Sequence, residues 1–436
     1  MNFEIQYCQE LKRIQKFYLI KLRNNSKNYR NKIKNENKYE IWIINDRHDQ
    51  AGDNGEFFFR YLINKKLERV RFFFAIEKNC SDYQRIKHLG NILDLNSEKY
   101  LKFFILADKI ISSISNAWVV NPFNLDYIYI RDLLNFQNIF LQHGIIKDDL
   151  SNYLNKFNKK YDFFVTSSKK EYKSILNYKY GYNKQNVILS GLPRYDNLER
   201  LKKVINIKNN IIIIPTWRIN IKGTLDLVTY KSIHSDTFIN TSFYNFYNNL
   251  INDQKLLLYM EKFNYKGIFC LHPCFSAQWI DFNQNDYFSV KNKCNYQKFL
   301  LEGSLLITDY SSIFFDFGYL RKPIIYSHFD YEEYRNTHYK EGYFDYRIDG
   351  FGPVCQDINC TVNEIIYEIE NNCTVRKKYI RKIEKFFAFS DDNNCERVYN
   401  EITKKNNQNI KSYSKENLFF IFMIVNFSMI FIKLIY

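Results

Sequence analysis

Short apolar runs alternate with helical stretches along most of the chain, and this alternation restricts the fold more than any other feature. The runs are apolar on both faces, as expected for strands of a parallel sheet that helices cover on each side. In the first part of the chain the predicted strands are Tyr39–Asn45, Val70–Ile76, Lys109–Ser113, Asn138–Gln142, Phe163–Ser167 and Asn186–Ser190. The pattern predicts an α/β fold.

A polar stretch rich in Lys and Asn, Glu199–Asn210, interrupts the alternation, which then starts again. The second series of predicted strands is Ile211–Ile214, Gly267–Leu271, Leu305–Thr308 and Pro323–Ser327. The predicted helices of this part include Tyr244–Phe263, Ser311–Leu320, Asn363–Asn371 and Arg376–Phe389. A chain of 436 residues has room for two or three domains of ~100–200 residues each. We therefore predict two α/β domains, residues 39–205 and 206–400, between an N-terminal segment, 1–38, and a tail, 401–436.

Both ends of the chain have features of membrane contact, and each has alternatives. The basic segment 1–38 is predicted to form a helix with one apolar face, which docks on the protein body or lies on a membrane. Leu418–Ile432 is apolar except for Asn426 and Ser428, but it is shorter than the ~20 residues of a spanning helix. It spans a membrane only if Lys433 snorkels; an interfacial tail is an equal alternative, and a packed core helix is a third.

The charge balance limits the partners. The chain has 63 basic and 47 acidic residues, a net charge of +16, which attracts nucleic acid, anionic lipid or phosphate-rich substrates. No RNA-binding signature is visible. A zinc site is not supported either, because Cys270, His272 and Cys274 lack a second pair of ligands. No Asp-x-Asp triplet follows a strand, and the run after the first strand lacks GxGxxG. We therefore predict no nucleic-acid partner, no metal and no dinucleotide cofactor.

A histidine follows one predicted strand in each half of the chain. Ligands of an open α/β sheet collect beyond the carboxyl ends of the strands. His143 and Gly144 follow Asn138–Gln142, and His272 follows Gly267–Leu271. A neutral imidazole accepts a proton near pH 7, and glycine lets a substrate approach the backbone. Either histidine has a purely structural alternative, but a pair facing each other across a cleft suits group transfer.

The ends of two further strands carry groups suited to phosphate. Arg218 follows Ile211–Ile214, and its guanidinium is a fork of donors. Asp309, Ser311 and Ser312 follow Leu305–Thr308, where a helix start with hydroxyls and free N–H groups favours an anion. The alternatives are a solvent-exposed arginine and an ordinary serine N-cap with a structural aspartate.

Taken together, these residues resemble the CDP-glycerol glycerophosphotransferase family, which includes teichoic acid and capsule polymerases. The resemblance extends from about Tyr39 to about Ala388. It is carried by LQHGIIKDDLSNYLNK at Leu141–Lys156, SGLPRYDNL at Ser190–Leu198, IIPTWR at Ile213–Arg218, LHP at Leu271–Pro273, LLITDYSSIFFDFGYLRKPIIYSHFDYEEYR at Leu305–Arg335 and GYFDYRIDGFGPV at Gly342–Val354.

The resemblance implies two Rossmann-like domains facing a cleft, the GT-B architecture, with an N-terminal acceptor domain and a C-terminal CDP-donor domain. It implies roles for single residues as well. His143 would be the general base, and His272 would contact or protonate the diphosphate. Arg218, Ser311 and Ser312 would hold the donor phosphates, supported by Gly144, Asp309 and Asp316.

The implied reaction moves glycerol phosphate, or ribitol phosphate, from a CDP-activated donor to a hydroxyl acceptor and releases CMP, without a cofactor. A nucleotide-sugar glycosyltransferase on the same scaffold is the alternative, and a non-enzymatic polyanion-binding protein is a distant third. The expected acceptor is lipid-linked or polymeric, as in teichoic-acid-like or capsular polymer synthesis. The expected location is the cytoplasmic face of the cell membrane, bound peripherally or through the tail to anionic lipid.

Overall fold

Two parallel sheets form the framework of the computed structural model, which describes residues 20–28, 39–123, 130–203, 207–221, 233–292, 294 and 296–404. The first sheet has seven strands in the order β3-β2-β1-β4-β5-β6-β7. Their bounds are β1 Glu40–Asn45, β2 Val70–Ile76, β3 Ile92–Asp94, β4 Lys109–Ser112, β5 Gln137–Phe140, β6 Phe163–Thr166 and β7 Val187–Leu189. Every pair in this sheet is parallel, as the apolar runs predict.

The second sheet has six strands in the order β10-β9-β8-β11-β12-β13, and all its pairs are parallel as well. Its strands are β8 Asn210–Ile213, β9 Lys266–Cys270, β10 Phe288–Lys291, β11 Leu305–Thr308, β12 Ile324–Ser327 and β13 Val354–Cys355. The α/β prediction is confirmed, with one sheet in each half of the chain. The predicted limits 39–205 and 206–400 stay predictions.

Helices connect the strands and cover both sheets. A first helix, α1, is seen at residues 20–28. The helices of the first half are α2 Asn54–Lys65, α3 Ser81–Ile86, α4 Glu98–Leu106, α5 Ser151–Leu154, α6 Lys156–Lys159, α7 Lys169–Ile175 and α8 Arg194–Leu201. Those that follow are α9 Ser242–Ile251, α10 Gln254–Lys262, α11 Tyr296–Glu302, α12 Ile313–Tyr319, α13 Tyr331–Thr337, α14 Ile358–Glu370, α15 Lys377–Phe386 and α16 Asn394–Thr403.

Aromatic side chains fill the core of each half. In the second half Phe243, Tyr247 and Phe269 are buried against one another, with ring centroids 4.9 and 5.3 Å apart along the series. Tyr161 and Phe164 pack at 5.6 Å in the first half. Pairs of this kind are each worth about 0.5–1.5 kcal/mol beyond their buried area. The sheets therefore form rigid supports for the loops at their ends.

The prediction of one continuous helix is wrong in one place. Tyr244–Phe263 is two helices, α9 and α10, because the chain turns at Asn252 and Asp253. The Asp253 carboxylate accepts the Leu256 N–H at 2.9 Å and so caps a new helix start. The predicted helix Ser311–Leu320 begins later, at Ile313.

The end segments are only partly described. Residues 20–28 are helical, while the rest of the predicted segment 1–38 lies outside the described residues. The tail Leu418–Ile432 also lies outside them. Among the helices that are described, none has both the length and the apolar character needed to cross a bilayer.

After the second sheet the chain returns to the first half. The Ala388 N–H donates to the Ser167 carbonyl at 3.1 Å. The buried Asp196 carboxylate of α8 accepts the Asn394 and Cys395 N–H groups at 2.7 and 2.9 Å. The start of α16 is therefore capped by a residue that comes almost two hundred positions earlier.

Candidate active site

Two loops from opposite halves touch at the carboxyl ends of the sheets. Gly144 lies beyond β5, and Ser312 lies beyond β11. A methyl group built on Gly144 would lie only 2.5 Å from the Ser312 Oγ. Glycine suits this position because a side chain would require the Ser312 hydroxyl to move and would crowd its Cβ at 3.3 Å. The loop of His143 and Gly144 thus meets the loop of Ser311 and Ser312, and both serines are half-buried.

His143 is held by charged groups on both ring nitrogens. Its Nδ1 is hydrogen-bonded to the Asp53 carboxylate, and its Nε2 lies 3.1 Å from the Arg47 Nη2. Arg47 can only donate, so Nε2 carries the lone pair and Nδ1 carries the proton. The side chain is 56% exposed, and Arg47 occupies this lone pair, so an acceptor hydroxyl has to displace Arg47 to reach Nε2.

The backbone before His143 is in an uncommon conformation that its neighbours maintain. Gln142 has φ +67°, the left-handed region that non-glycine residues rarely adopt. Its side-chain amide donates to the Glu171 carboxylate at 3.0 Å, and the same carboxylate accepts the Ile146 N–H at 2.9 Å. Burial raises the pKa of Glu171 to about 7. These bonds hold the loop in a conformation of the kind that is typical of functional sites.

Asp53, the partner of His143, is the N-cap of α2. Its Oδ1 accepts the Asn54 N–H at 2.8 Å and the Arg194 Nη1 at 2.8 Å. Burial alone raises the pKa of this carboxyl, but the charges of His143 and Arg194 outweigh burial and hold the pKa below its usual value. Asp53 is therefore an anion at neutral pH and a fixed acceptor for the imidazole.

His272 lies in the second half but within electrostatic reach of the first. Its Nδ1 accepts the Cys274 N–H at 3.2 Å, and its ring lies 6.2 Å from that of Trp217. Burial lowers the pKa of His272 to about 4, assisted by the positive charges of Arg47 and His143. The two predicted histidines thus lie within electrostatic reach of each other, and His272 is neutral at pH 7.

Arg218 is placed differently from the predicted phosphate contact. It is buried, with its Nε 2.6 Å from Asp330 and its Nη2 2.8 Å from Asp309. Its Nη1 donates to the Thr216 carbonyl at 2.6 Å. Asp309 also accepts the Thr216 N–H at 2.7 Å. This placement favours a supporting role for Arg218 and Asp309 behind the Ser311 loop over direct contact with a ligand.

Asp316 connects this loop to the first half. It is buried on α12, and its Oδ1 accepts the Arg194 Nη2 at 3.0 Å. Burial raises the pKa of the carboxyl more than the Arg194 charge lowers it. A second contact between the halves joins Arg335 of α13 to Asp148, with the Nη1 2.7 Å from the carboxylate.

Three residues of the site were not assigned a role from the sequence. Arg47 and Asp53 stand in the polar run after β1, and Arg194 stands in the SGLPRYDNL motif, but nothing in the spacing pairs them with His143. Within the described ranges no cluster of three or more His, Cys, Asp and Glu side chains could hold a metal ion. The absence of a metal from the reaction stays a prediction.

Comparison with known proteins finds relatives among proteins of teichoic acid synthesis. The minor teichoic acid biosynthesis protein GgaB of Bacillus subtilis (strain 168) is 39% identical over 375 residues, 86% of this chain and 41% of GgaB. The teichoic acid ribitol-phosphate polymerase TarK of Staphylococcus aureus (strain NCTC 8325 / PS 47) is 25% identical over 52% of this chain and 42% of TarK. The chain thus spans about two fifths of the length of these relatives.

Solved structures and a family model complete the comparison. The wall teichoic acid polymerase TagF superposes with a TM-score of 0.59 and 16% identity over 91% of this chain and 96% of that chain, a likeness of fold. A sequence model described as CDP-Glycerol:Poly(glycerophosphate) glycerophosphotransferase matches residues 27–404. The chain therefore belongs to the CDP-glycerol glycerophosphotransferase family.

Proposed function

We propose that this protein transfers an alditol phosphate from a CDP-alditol to a hydroxyl acceptor and releases CMP, with the two halves arranged as in GT-B enzymes. The observation that carries the proposal is that His272 of the second half lies within electrostatic reach of His143 and Arg47 of the first. His143 is held by the half-buried Asp53 carboxylate, and His272 is neutral at pH 7. Phosphoryl transfer needs positioning and charge stabilisation more than covalent chemistry, and these residues offer both.

His143 acts as the general base in the proposed reaction. Its Nε2 accepts the proton of the acceptor hydroxyl while the oxygen attacks the phosphorus that carries the alditol. A phosphorus–oxygen bond to the acceptor forms, and the bond to the bridging oxygen of the diphosphate breaks. CMP leaves with that electron pair. Asp53 stabilises the imidazolium that results, as a carboxylate behind a catalytic histidine does.

The donor diphosphate is proposed to lie against the second half. Ser311 and Ser312 are half-buried at the loop that touches Gly144, so their hydroxyls are available to phosphate oxygens. Arg47 is half-buried and near both histidines, and we assign it the charge neutralisation that the buried Arg218 is poorly placed to supply. His272 contacts the leaving phosphate.

The relatives support a teichoic-acid-like or capsular polymer as the product. GgaB is described as a minor teichoic acid biosynthesis protein and TarK as a ribitol-phosphate polymerase. One TagF variant structure was obtained with CDPG. The acceptor proposed for this chain is accordingly a lipid-linked or polymeric hydroxyl compound.

An assay of CMP release tests the function and its residues together. The protein is incubated in EDTA with CDP-glycerol, CDP-ribitol or nucleotide-sugar donors and with a polyol-phosphate acceptor. We expect turnover of a CDP-alditol, reduced at least about 100-fold by His143→Ala or His272→Ala, since a general acid or base contributes about 10²–10⁴-fold. The exposed His88→Ala is the matched control.

Two results would contradict this assignment. Turnover of a nucleotide sugar in place of CDP-alditols would favour the glycosyltransferase alternative. Loss of activity in EDTA that magnesium restores would overturn the proposal of a metal-independent reaction without a cofactor.

We further propose that the protein works at the cytoplasmic face of the cell membrane, on an anionic lipid surface. Phe157 and Tyr178 are 87% and 85% exposed. The turn of Tyr178 lies beside Phe157: the Gly181 N–H donates to the Tyr178 carbonyl at 3.1 Å, and a methyl group on Gly181 would be 3.8 Å from the Phe157 ring. Lys160 and Lys179 are exposed beside them. Aromatic tips among lysines suit the headgroup region of a bilayer.

A further inference from the structure

A buried arginine links the histidine of the first half to the helix of the second. Arg194 is the first residue of α8, and its side chain is 7% exposed. Its Nη1 lies 2.8 Å from the Asp53 Oδ1, and its Nη2 lies 3.0 Å from the Asp316 Oδ1. Asp53 in turn holds the Nδ1 of His143. The chain of contacts therefore runs from α12 through one guanidinium to the imidazole.

The same arginine is fixed to the loop that carries His143. Its Nη1 also donates to the His143 carbonyl at 2.8 Å, and its backbone N–H donates to the Asn54 Oδ1 at 3.0 Å. Asn54 donates to the Gln142 carbonyl at 2.7 Å. Arg194 thus holds both the backbone and, through Asp53, the side chain of the histidine.

We propose that Arg194 is a positioning residue that makes the orientation and tautomer of His143 depend on contact between the two halves through Asp316. The inference rests on the proposed function for its catalytic meaning. When Asp316 is in place, the guanidinium is held in the plane in which it supports Asp53. When the halves separate, Arg194 loses one of its two carboxylates, and Asp53 holds the imidazole less firmly.

The planar fork of arginine suits this role better than lysine. Two nitrogens of one guanidinium reach two carboxylates that belong to different halves, 16% and 5% exposed. Lysine offers a single charged point and could not keep both contacts in one geometry. Among the described residues, Arg194 is the one cation in contact with Asp316. Asp53 has His143 as its other partner. Arg194 therefore has to serve both carboxylates.

Few charged groups surround His143, so a change in its tautomer can be traced to one of them. Asp53 and Arg47 contact the ring, the Arg194 guanidinium contacts the carbonyl, and His272 lies within electrostatic reach. Asp46 stands behind Asp53 and accepts its backbone N–H at 3.0 Å. Asp316 is linked to the ring by hydrogen bonds through Arg194 and Asp53, and it also acts on Asp53 through its charge.

The test measures the tautomer of His143 without substrate, by nitrogen NMR of the full chain labelled in its histidine rings. His143→Gln assigns the signal. At a pH where the ring is neutral, we expect Nδ1–H in the wild type and a shift toward the Nε2–H form in Asp53→Asn, Arg194→Gln, Arg194→Lys and Asp316→Asn. Arg200→Gln, an exposed arginine on the same helix, is the matched control and should leave the signal unchanged.

Kinetics supply a second readout. Asp316→Asn should lower kcat about 10–100-fold, the range found when a supporting partner of a functional histidine is removed. The KM for the CDP-alditol should stay within about twofold, because the variant keeps the proposed contacts with the donor. Circular dichroism confirms that each variant is folded.

The outcomes separate the two proposals. An Asp316→Asn protein that is folded and keeps the wild-type tautomer would overturn the link between the halves, whatever its activity. A shifted tautomer in a protein that turns over no CDP-alditol, even as wild type, would support the link and count against the proposed function alone.

Discussion

At position 53 one carboxylate serves three neighbours. It caps α2, binds the Nδ1 of His143 and accepts a bond from Arg194. Each contact favours the anionic form, which explains why the pKa is held low although the side chain is buried. A single residue thus joins the start of a helix to the proposed base.

The low pKa of His272 predicts a pH effect on donor binding. In the protein without donor the His272 ring has a pKa of about 4, so it is neutral at pH 6–7. A bound diphosphate favours the charged ring and raises this pKa, so binding takes up a proton. Affinity for CDP-glycerol should therefore weaken as pH rises from about 4 to the raised pKa of the complex, by up to about tenfold per pH unit, and level off above it.

Calorimetry in two buffers with different ionisation enthalpies measures this proton uptake. His272→Asn should bind with a flat pH dependence, and His143→Asn should keep the slope of the wild type. An equal slope in wild type and His272→Asn would show that another group titrates.

The sequence predicts single site residues better than their pairing. His143 and His272 can be found because each follows a buried strand, where ligands of such sheets collect. The Asp53–His143 and Arg194–Asp316 contacts span 90 and 122 positions, and no local pattern encodes them. The burial of Arg218 depends on Asp330, which lies 112 positions away.

Among the elements, the strands with unbroken apolar runs are predicted well. β2 and β11 have the predicted limits, because the polar residues on either side of an apolar run mark where the buried strand begins and ends. β3, β10 and β13 were missed because they are edge strands of only two to four residues, and β3 and β10 include polar residues. The break between α9 and α10 was missed because apolar residues continue on both sides of Asn252.

The contact between the loops of Gly144 and Ser312 predicts a specific cost of added volume. Gly144→Ala should lower the free energy of unfolding by about 1–3 kcal/mol, as overpacking does. The φ of Gly144 is not positive, so the effect comes from the Ser312 Oγ at 2.5 Å and not from backbone strain. Urea denaturation measures the change.

The companion variants identify the cause. Ser312→Ala removes the oxygen and should change stability little by itself. Combined with Gly144→Ala, it should restore part of the loss, because the nearest remaining atom is the Ser312 Cβ at 3.3 Å. A double variant no more stable than Gly144→Ala would show that the two loops do not press on each other.

For the whole molecule, the net charge of +16 and the exposed aromatic pair predict binding to anionic vesicles. Each lysine near such a surface contributes about 1 kcal/mol, and the attraction extends about one Debye length, ~8 Å at physiological salt. Phe157→Ala combined with Tyr178→Ala should weaken sedimentation with vesicles that contain anionic lipid at least about tenfold.

Leu258→Ala removes an equally apolar side chain, 65% exposed on α10, and is the matched control. Wild-type binding should also fall when salt is raised or when neutral lipid replaces anionic lipid. Equal binding by the double variant and the control would remove Phe157 and Tyr178 from the lipid contact.

The return of the chain from the second half to the first affects how the protein is made. Asp196 emerges from the ribosome long before Asn394 and Cys395, whose N–H groups it binds. All strands of the seven-stranded sheet precede residue 190, but the surface around α8 stays uncovered until Asn394 and Cys395 have been made. A nascent chain stalled between the sheets would therefore expose a buried acid and an uncovered helix, a natural target for chaperones and proteases.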